Sequence, residues 1–377
     1  MMAGLNDNVD PEGLLEYSVV FTDRSLNHMS KSFQNVMKDL SSMLKEVYNA
    51  DKVAIVPGGG SYAMEAVARQ FGNKKKCLVV RNGWFSYRWS QIFEAGDFCE
   101  ELFVVKARQE TNENKSPFAP AKVEDVVAKI LENRPDVVFA PHVETSAGII
   151  LPEEYLSRVS EAVHKVNGIM VLDCIASGCA WVDMRKTGVD VLISAPQKGW
   201  SSTPSSGLVM MSERASEKME NSVSNSFSID LKKWLEIMAA YENNGHAYHT
   251  TMPTDSLKNF RDTMIETKKF GFKKVEEEQW RLGNEVRDML SRKGLISVAA
   301  KGYEAPGVVV SYTDDIDVHN GKTFRDKGIQ IAAGVPLKCD EKEDFMTFRI
   351  GLFGLDKLYD VDAALERLNK VVQEVFN

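Results

Sequence analysis

Lys198 lies in the stretch Ser194-Ala195-Pro196-Gln197-Lys198-Gly199-Trp200, directly after the apolar run Asp190-Val191-Leu192-Ile193. A second apolar run, Ile169-Met170-Val171-Leu172, ends on Asp173. Short apolar runs of this kind read as buried strands, so the spacing predicts an amine and a carboxylate at the C-terminal ends of two neighbouring strands. The amine can form a Schiff base, and the carboxylate can keep a pyridine nitrogen protonated so that the ring absorbs electrons. Those are the requirements of a pyridoxal phosphate site. A carboxylate that follows four apolar residues needs a cationic partner once buried. The competing reading is a salt bridge from Asp173 to an arginine or to Lys198 itself.

Other clusters can be tested against that chemistry. Pro57-Gly58-Gly59-Gly60-Ser61 follows an apolar run and opens a helical segment. Gly59, Gly60 and Ser61 would let a phosphate approach free N–H groups at the positive end of the helix; the alternative is a tight turn with no ligand. Asn82-Gly83-Trp84-Phe85 offers Phe85 for stacking on a planar ring, or for core packing. His142-Val143-Glu144-Thr145-Ser146 follows another run, at the strand end where open α/β sheets bind ligands. Thr145 supplies a short hydroxyl for a phenolic oxygen, whereas a lone His142 reads first as a structural group. Arg349, on the apolar run Phe345–Ile350, needs an anion: a substrate carboxylate held bidentately or a structural partner. Tyr248-His249-Thr250-Thr251-Met252-Pro253 reads as a polar loop.

The elements that must position these residues are strands and helices in alternation. Seven β-rich runs occur at Val53–Val56, Leu78–Val80, Leu102–Val105, Val137–Ala140, Ile169–Leu172, Val191–Ser194 and Leu208–Met211. Helical-period segments (Tyr62–Phe71, Val123–Asn133, Glu153–Val166) separate most of them. This pattern predicts an α/β fold with a mostly parallel seven-stranded sheet covered on both faces. The last two runs are too close for a helical crossover and should pair antiparallel. Lys106–Lys122, polar and with two prolines, reads as a long surface loop. From about residue 256 a charged amphipathic stretch to Lys293 leads to runs at Val308–Tyr312 and Thr347–Ile350 and a helix from about Asp360. The expected division is an N-terminal segment (1–24), a large cofactor-binding domain (25–255), and an interdomain helix with a smaller α+β C-terminal domain (256–377).

Composition narrows the classes. A formal net charge of −8 argues against nucleic-acid or anionic-membrane surfaces. No apolar run approaches the ~20 residues of a membrane span, and Met1–Pro11 lacks a signal-peptide pattern. Cys77, Cys99, Cys174, Cys179 and Cys339 are scattered, odd in number and without metal-ligand spacing. They read as reduced thiols of a cytoplasmic protein, and no metal site is expected.

Taken together, from about Val53 to Ile350, these blocks resemble class V aminotransferases of pyridoxal-phosphate fold type I, most closely the alanine–glyoxylate and serine–pyruvate branch. The resemblance implies pyridoxal 5'-phosphate as cofactor, with Gly58–Glu65 as phosphate cup, Phe85 as stacking ring and Thr145 beside the ring oxygen. It further implies Asp173 as pyridinium partner, Ser177 as a phosphate-side hydroxyl, Gln197 as a phosphate-side amide and Lys198 as the Schiff-base lysine. Tyr248 and Thr251 resemble the pair that a neighbouring subunit lends to the phosphate, implying a homodimer with shared sites. Arg349 resembles the substrate-carboxylate arginine. In place of the family's Gly-Pro-rich N-terminal segment stands Phe21–Ser30, so Arg24 becomes a candidate for a second anionic group on the substrate, with pairing to Asp23 as its alternative.

The expected reaction moves an amino group from an alanine/serine-like or acidic amino acid to a small 2-oxo acid such as glyoxylate or pyruvate. Rivals on the same scaffold are a lyase or epimerase and a cysteine desulfurase. The last would need Cys339 as a thiolate, which the acidic context Lys338-Cys339-Asp340-Glu341 disfavours.

Overall fold

The computed structural model describes residues 9–11, 13–20 and 22–376; the first eight residues and Phe21 lie outside them. Each of the seven expected runs lies in a strand: β1 (Lys52–Pro57), β2 (Lys76–Arg81), β3 (Glu101–Lys106), β4 (Val137–Pro141), β5 (Ile169–Asp173), β6 (Val191–Ser194) and β7 (Ser206–Met211). They form one sheet in the order β1-β7-β6-β5-β4-β2-β3. β7 runs antiparallel to β1 and β6, and the other pairs are parallel. The connection from β6 to β7 leaves no room for a helix, which forces the reversal. Because β7 reverses twice, β1 points the same way as β6, and the loops after β1, β2, β4, β5 and β6 all open on one edge of the sheet.

Every residue of β4, β5, β6 and β7 is buried. Helices cover both faces, so these strands read as continuous apolar runs rather than alternating ones. In register, Asp173 stands beside Pro141 on one side and Ile193 on the other. That alignment brings the chain after β4, the end of β5 and the turn after β6 to a common point.

The charged stretch after residue 255 is two helices, Thr254–Phe270 and Phe272–Arg292, broken at Gly271. There φ is +103°, a conformation that favours glycine. The first helix buries Leu257, Phe260 and Met264 in the large core, and the second buries Val275, Leu282 and Val286 in the smaller one. The cores therefore change at Gly271, between the two helices of the interdomain stretch. The small domain adds an antiparallel sheet of β8 (Val308–Tyr312), β9 (Ala332–Ala333) and β10 (Thr347–Gly351), with β10 central, and a closing helix, Val361–Val375.

Lys106–Lys122 is not a free surface loop. Arg108–Gln109 pairs with Phe118–Ala119 as a hairpin. Phe118 is buried, donates its N–H to the Val298 carbonyl (2.7 Å) and accepts from Ala300 (2.9 Å). One aromatic residue amid the polar ones anchors the segment to the small domain, a contact too distant in sequence for local composition to show.

Candidate active site

The glycine turn after β1 leads into the helix Gly60–Phe71. Gly58 has φ +120°, which favours glycine, and a Cβ on Gly60 would lie 2.5 Å from Ile175 Cδ1. Backbone therefore lies directly against the chain after Asp173. The first-turn N–H groups of a helix have no intrahelical acceptor, and here they open on the edge that carries Asp173 and Lys198.

The second such helix, Trp84–Gly96, follows β2 and is fastened by a buried carboxylate. Glu144, fully buried, accepts from the N–H of Phe85 (3.2 Å), the N–H (2.9 Å) and hydroxyl (2.7 Å) of Ser86, and the N–H (3.1 Å) and hydroxyl (2.6 Å) of Ser146. Five donors, three of them backbone, satisfy a charge that would otherwise be costly to bury. A negative charge is also favoured at a helix N-terminus. The result fixes Phe85 relative to Thr145, the buried neighbour of Glu144. Trp84 lies elsewhere, against Tyr87 and Lys338.

Phe85 is the ring over which the site's cations gather. The Arg349 guanidinium carbon lies 5.5 Å from its centroid and that of Arg88 5.4 Å. Arg349 sits on β10 and donates Nε–H to the Ala333 carbonyl at 2.8 Å, with no carboxylate paired to it among the described residues. The structural ion pair weighed for Arg349 is thus absent among those residues. The Lys198 amine is 5.3 Å from the Phe353 ring centroid. Burial first, then the guanidinium charges of Arg349 and Arg88, lower its pKa. The turn is held against the chain after β5: a Cβ on Gly199 would be 1.9 Å from the Gly178 carbonyl oxygen.

Asp173 is 7% exposed. Its Oδ1 accepts from the Ile175 N–H at 2.9 Å, and no cation is bonded to it among the described residues. Burial pushes its pKa up to about 7; the Ile175 hydrogen bond opposes, the Glu144 charge adds, and Arg88 opposes. Among the described residues Asp173 forms no salt bridge to an arginine or to Lys198. Beneath it, His142 Nδ1 and Ser177 Oγ are 2.7 Å apart, both buried. Burial drives the His142 pKa down to about 4, so the ring is neutral near pH 7.

Tyr248, Thr251 and Arg24 are not gathered at this point. Tyr248 and Thr251 are exposed, with their hydroxyls 3.3 Å apart. Arg24, its side chain 78% exposed, pairs with Asp23 at 3.5 Å, the alternative that the sequence left open.

The sequence profile of class V aminotransferases matches residues 14–353. The chain belongs to the class V aminotransferase family. A curated relative, alanine–glyoxylate aminotransferase of Callithrix jacchus, is 24% identical over 92% of this chain and 82% of its own. Another, named as the small subunit of a soluble hydrogenase of Synechococcus sp. (strain PCC 6716), is 24% identical over 93% and 88%. Among solved structures, alanine–glyoxylate aminotransferase of Nostoc sp. superposes with a TM-score of 0.79 at 20% identity, over 93% and 89% of the two chains. The fold is type I of the pyridoxal-phosphate enzymes, and the chain is a pyridoxal-phosphate-dependent aminotransferase.

The residues present in this class V aminotransferase fit the cofactor. Among the described residues Gln197 Oε1 is buried with no partner and Asp173 has no cation bonded to it, and Gly60 carries no side chain to cover its backbone. An amide, a carboxylate and a row of N–H groups thus each await a ligand group. Desulfurase chemistry is not supported. Cys339 is buried, its thiol pushed up to about 12 by burial, then by Glu144 and Glu341, and its loop is tied by Glu341 to the N–H groups of Leu337, Lys338 and Cys339.

Sequence reasoning missed three residues here: Arg88, Phe353 and the part played by Glu144. Arg88 stands three residues after Phe85 at the start of a helix, a spacing that places both on one face; that signal was available. Glu144 was visible as a polar residue at a strand end, but nothing local tells which helix its carboxylate caps.

Proposed function

We propose that this aminotransferase takes its amino group from a small, uncharged amino acid such as alanine or serine and passes it to a small 2-oxo acid such as glyoxylate or pyruvate. The observation that carries the reading is Arg349 over the Phe85 ring with no carboxylate paired to it among the described residues, while Arg24 of the N-terminal segment pairs with Asp23. The name of the alanine–glyoxylate relative supports the same pair.

Bound pyridoxal phosphate would supply an aldehyde for amine exchange and an electron-accepting ring. Lys198, its pKa lowered by burial and by two guanidinium charges, would carry the aldehyde, take up the proton from the donor's α-carbon, and in the second half-reaction deliver a proton to the α-carbon of the new amino acid. Asp173 would hold a proton on the pyridine nitrogen; a cation there would pull its carboxyl pKa back down. Phe85 would stack on the ring and Thr145 bond its phenolic oxygen. Gly59, Gly60, Ser61, Gln197 and Ser177 would serve the phosphate side. Arg349 would grip the α-carboxylate with its terminal nitrogens while Ala333 holds Nε.

The same proposal includes a homodimer. Leu14, Tyr17 and Phe227 are exposed at 82%, 92% and 76%, apolar side chains that a partner subunit would cover. Tyr248 and Thr251 would reach the partner's phosphate. A cytoplasmic setting is supported by five free cysteines. No helix among the described residues is long and apolar enough to cross a membrane.

A coupled assay of amino donors against glyoxylate and pyruvate tests the substrate reading. Alanine or serine should give the highest kcat/KM. A preference of more than tenfold for aspartate or glutamate would overturn it.

A further inference from the structure

Arg88 is a cation held where a cation is unfavourable. It leaves the first turns of the helix Trp84–Gly96 and donates from Nη1 to Ser61 Oγ at 2.9 Å, in the first turn of the helix Gly60–Phe71. A positive group at a helix N-terminus is repelled by the helix dipole, by roughly 0.3–1 kcal/mol at exposed sites. Two such termini face Arg88, one of them already capped by Glu144; Lys198 and Arg349 add like charge nearby, while Asp173 opposes it. Among the described residues it forms no ion pair, although Ser61 and the Phe85 ring fix its position. Groups that oppose local preference in this way mark sites whose partner is a ligand.

We propose that Arg88 is the cation of the phosphate cup and binds the phosphate dianion of the cofactor. This rests on the cofactor reading above and adds a charged contact to it. The turn itself offers only N–H groups and the Ser61 hydroxyl, which satisfy hydrogen bonds but bring no full charge. Gly59 contributes no side chain, and a Cβ there would meet nothing within 4 Å. Lys198 is committed to the aldehyde and Arg349 to the substrate. Among the described residues the remaining guanidinium bonded to the turn is that of Arg88, and its planar fork suits a phosphate. Its bond to Ser61 Oγ orients that fork in advance, so little side-chain freedom is lost on binding.

The test compares two ligands that differ only in the phosphate. Apoenzyme is titrated with pyridoxal 5'-phosphate and with pyridoxal, and binding is followed by absorbance and by quenching of tryptophan fluorescence, for wild type, Arg88→Gln and Arg88→Lys. Gln retains a donor for Ser61 without the charge, so loss of folding is not expected; thermal unfolding of each apoenzyme verifies this. Arg88→Gln should raise the Kd for pyridoxal 5'-phosphate by about 10–100-fold while changing that for pyridoxal less than about threefold, and Arg88→Lys should recover part of the loss. The wild-type Kd for the phosphate ester should also rise with salt more steeply than that of the Gln variant. Equal effects on both ligands, or no effect on either, would overturn the assignment of Arg88 alone. Wild-type protein that takes up no pyridoxal 5'-phosphate would overturn the cofactor reading itself, and this inference with it.

Discussion

Glu144 Oε2 accepts both the backbone N–H and the hydroxyl of Ser86, at 2.9 and 2.7 Å, although 58 residues separate the two in sequence. The contact joins the chain after β4 to the start of the helix that carries Phe85 and Arg88. Phe85, Thr145 and Arg88 are thereby placed by one buried carboxylate.

Glu144→Gln should therefore cost more than its size suggests. Its amide nitrogen would face N–H donors, leaving at least one buried group unsatisfied, on the order of 1–3 kcal/mol. We expect a lower thermal midpoint and weaker cofactor retention, with Asp173→Asn as the control that keeps the helix in place. Unchanged unfolding and unchanged retention would show that the five hydrogen bonds do not position Phe85.

Asp173 gives a pH signature in the apoenzyme. Its folded pKa, about 7, lies above the ordinary value of 3.8, so between these values the native state binds more protons than the unfolded one. Stability must then fall as pH rises through that window. Buried His142, lowered to about 4, acts oppositely between 4 and 6.5, so the Asp173 part is read by difference. The gap in thermal midpoint between apo Asp173→Asn and apo wild type should widen in favour of the mutant from pH 5 to pH 8. A gap that does not change with pH would place Asp173 in a solvated or already paired setting. With cofactor bound, the trend should shrink or reverse.

Shared sites can be tested by complementation. Lys198→Ala and a Tyr248→Phe/Thr251→Ala double variant should each be weakly active or inactive, yet on mixing and re-equilibration should recover part of the wild-type turnover through hybrid dimers. A fully active monomer by light scattering would contradict the arrangement.

Much of this was legible before the structure. The runs ending at Asp173 and Ile193 are short, apolar and bounded by polar residues, so strand identity and the strand-end position of Asp173 and Lys198 followed from local pattern. The antiparallel β7 followed from chain length alone. What failed to show was non-local. Phe118 looked like part of a polar loop because its partners, Val298 and Ala300, lie in the other domain. Charge pattern changes at 256, whereas core membership changes at Gly271, inside the interdomain stretch, where no local pattern marks it. For Arg24 the sequence left two readings open, and the side chain lies at the surface paired with Asp23.

The central claim is that Lys198 holds the cofactor and moves the proton. Borohydride reduction of the yellow holoenzyme, followed by peptide mapping, should place the pyridoxyl label on Lys198. Lys198→Ala should fold, lose the reducible linkage and lose turnover by at least ~10³-fold, about 4 kcal/mol of barrier. A label on another lysine, together with near-normal turnover in Lys198→Ala, would contradict the account.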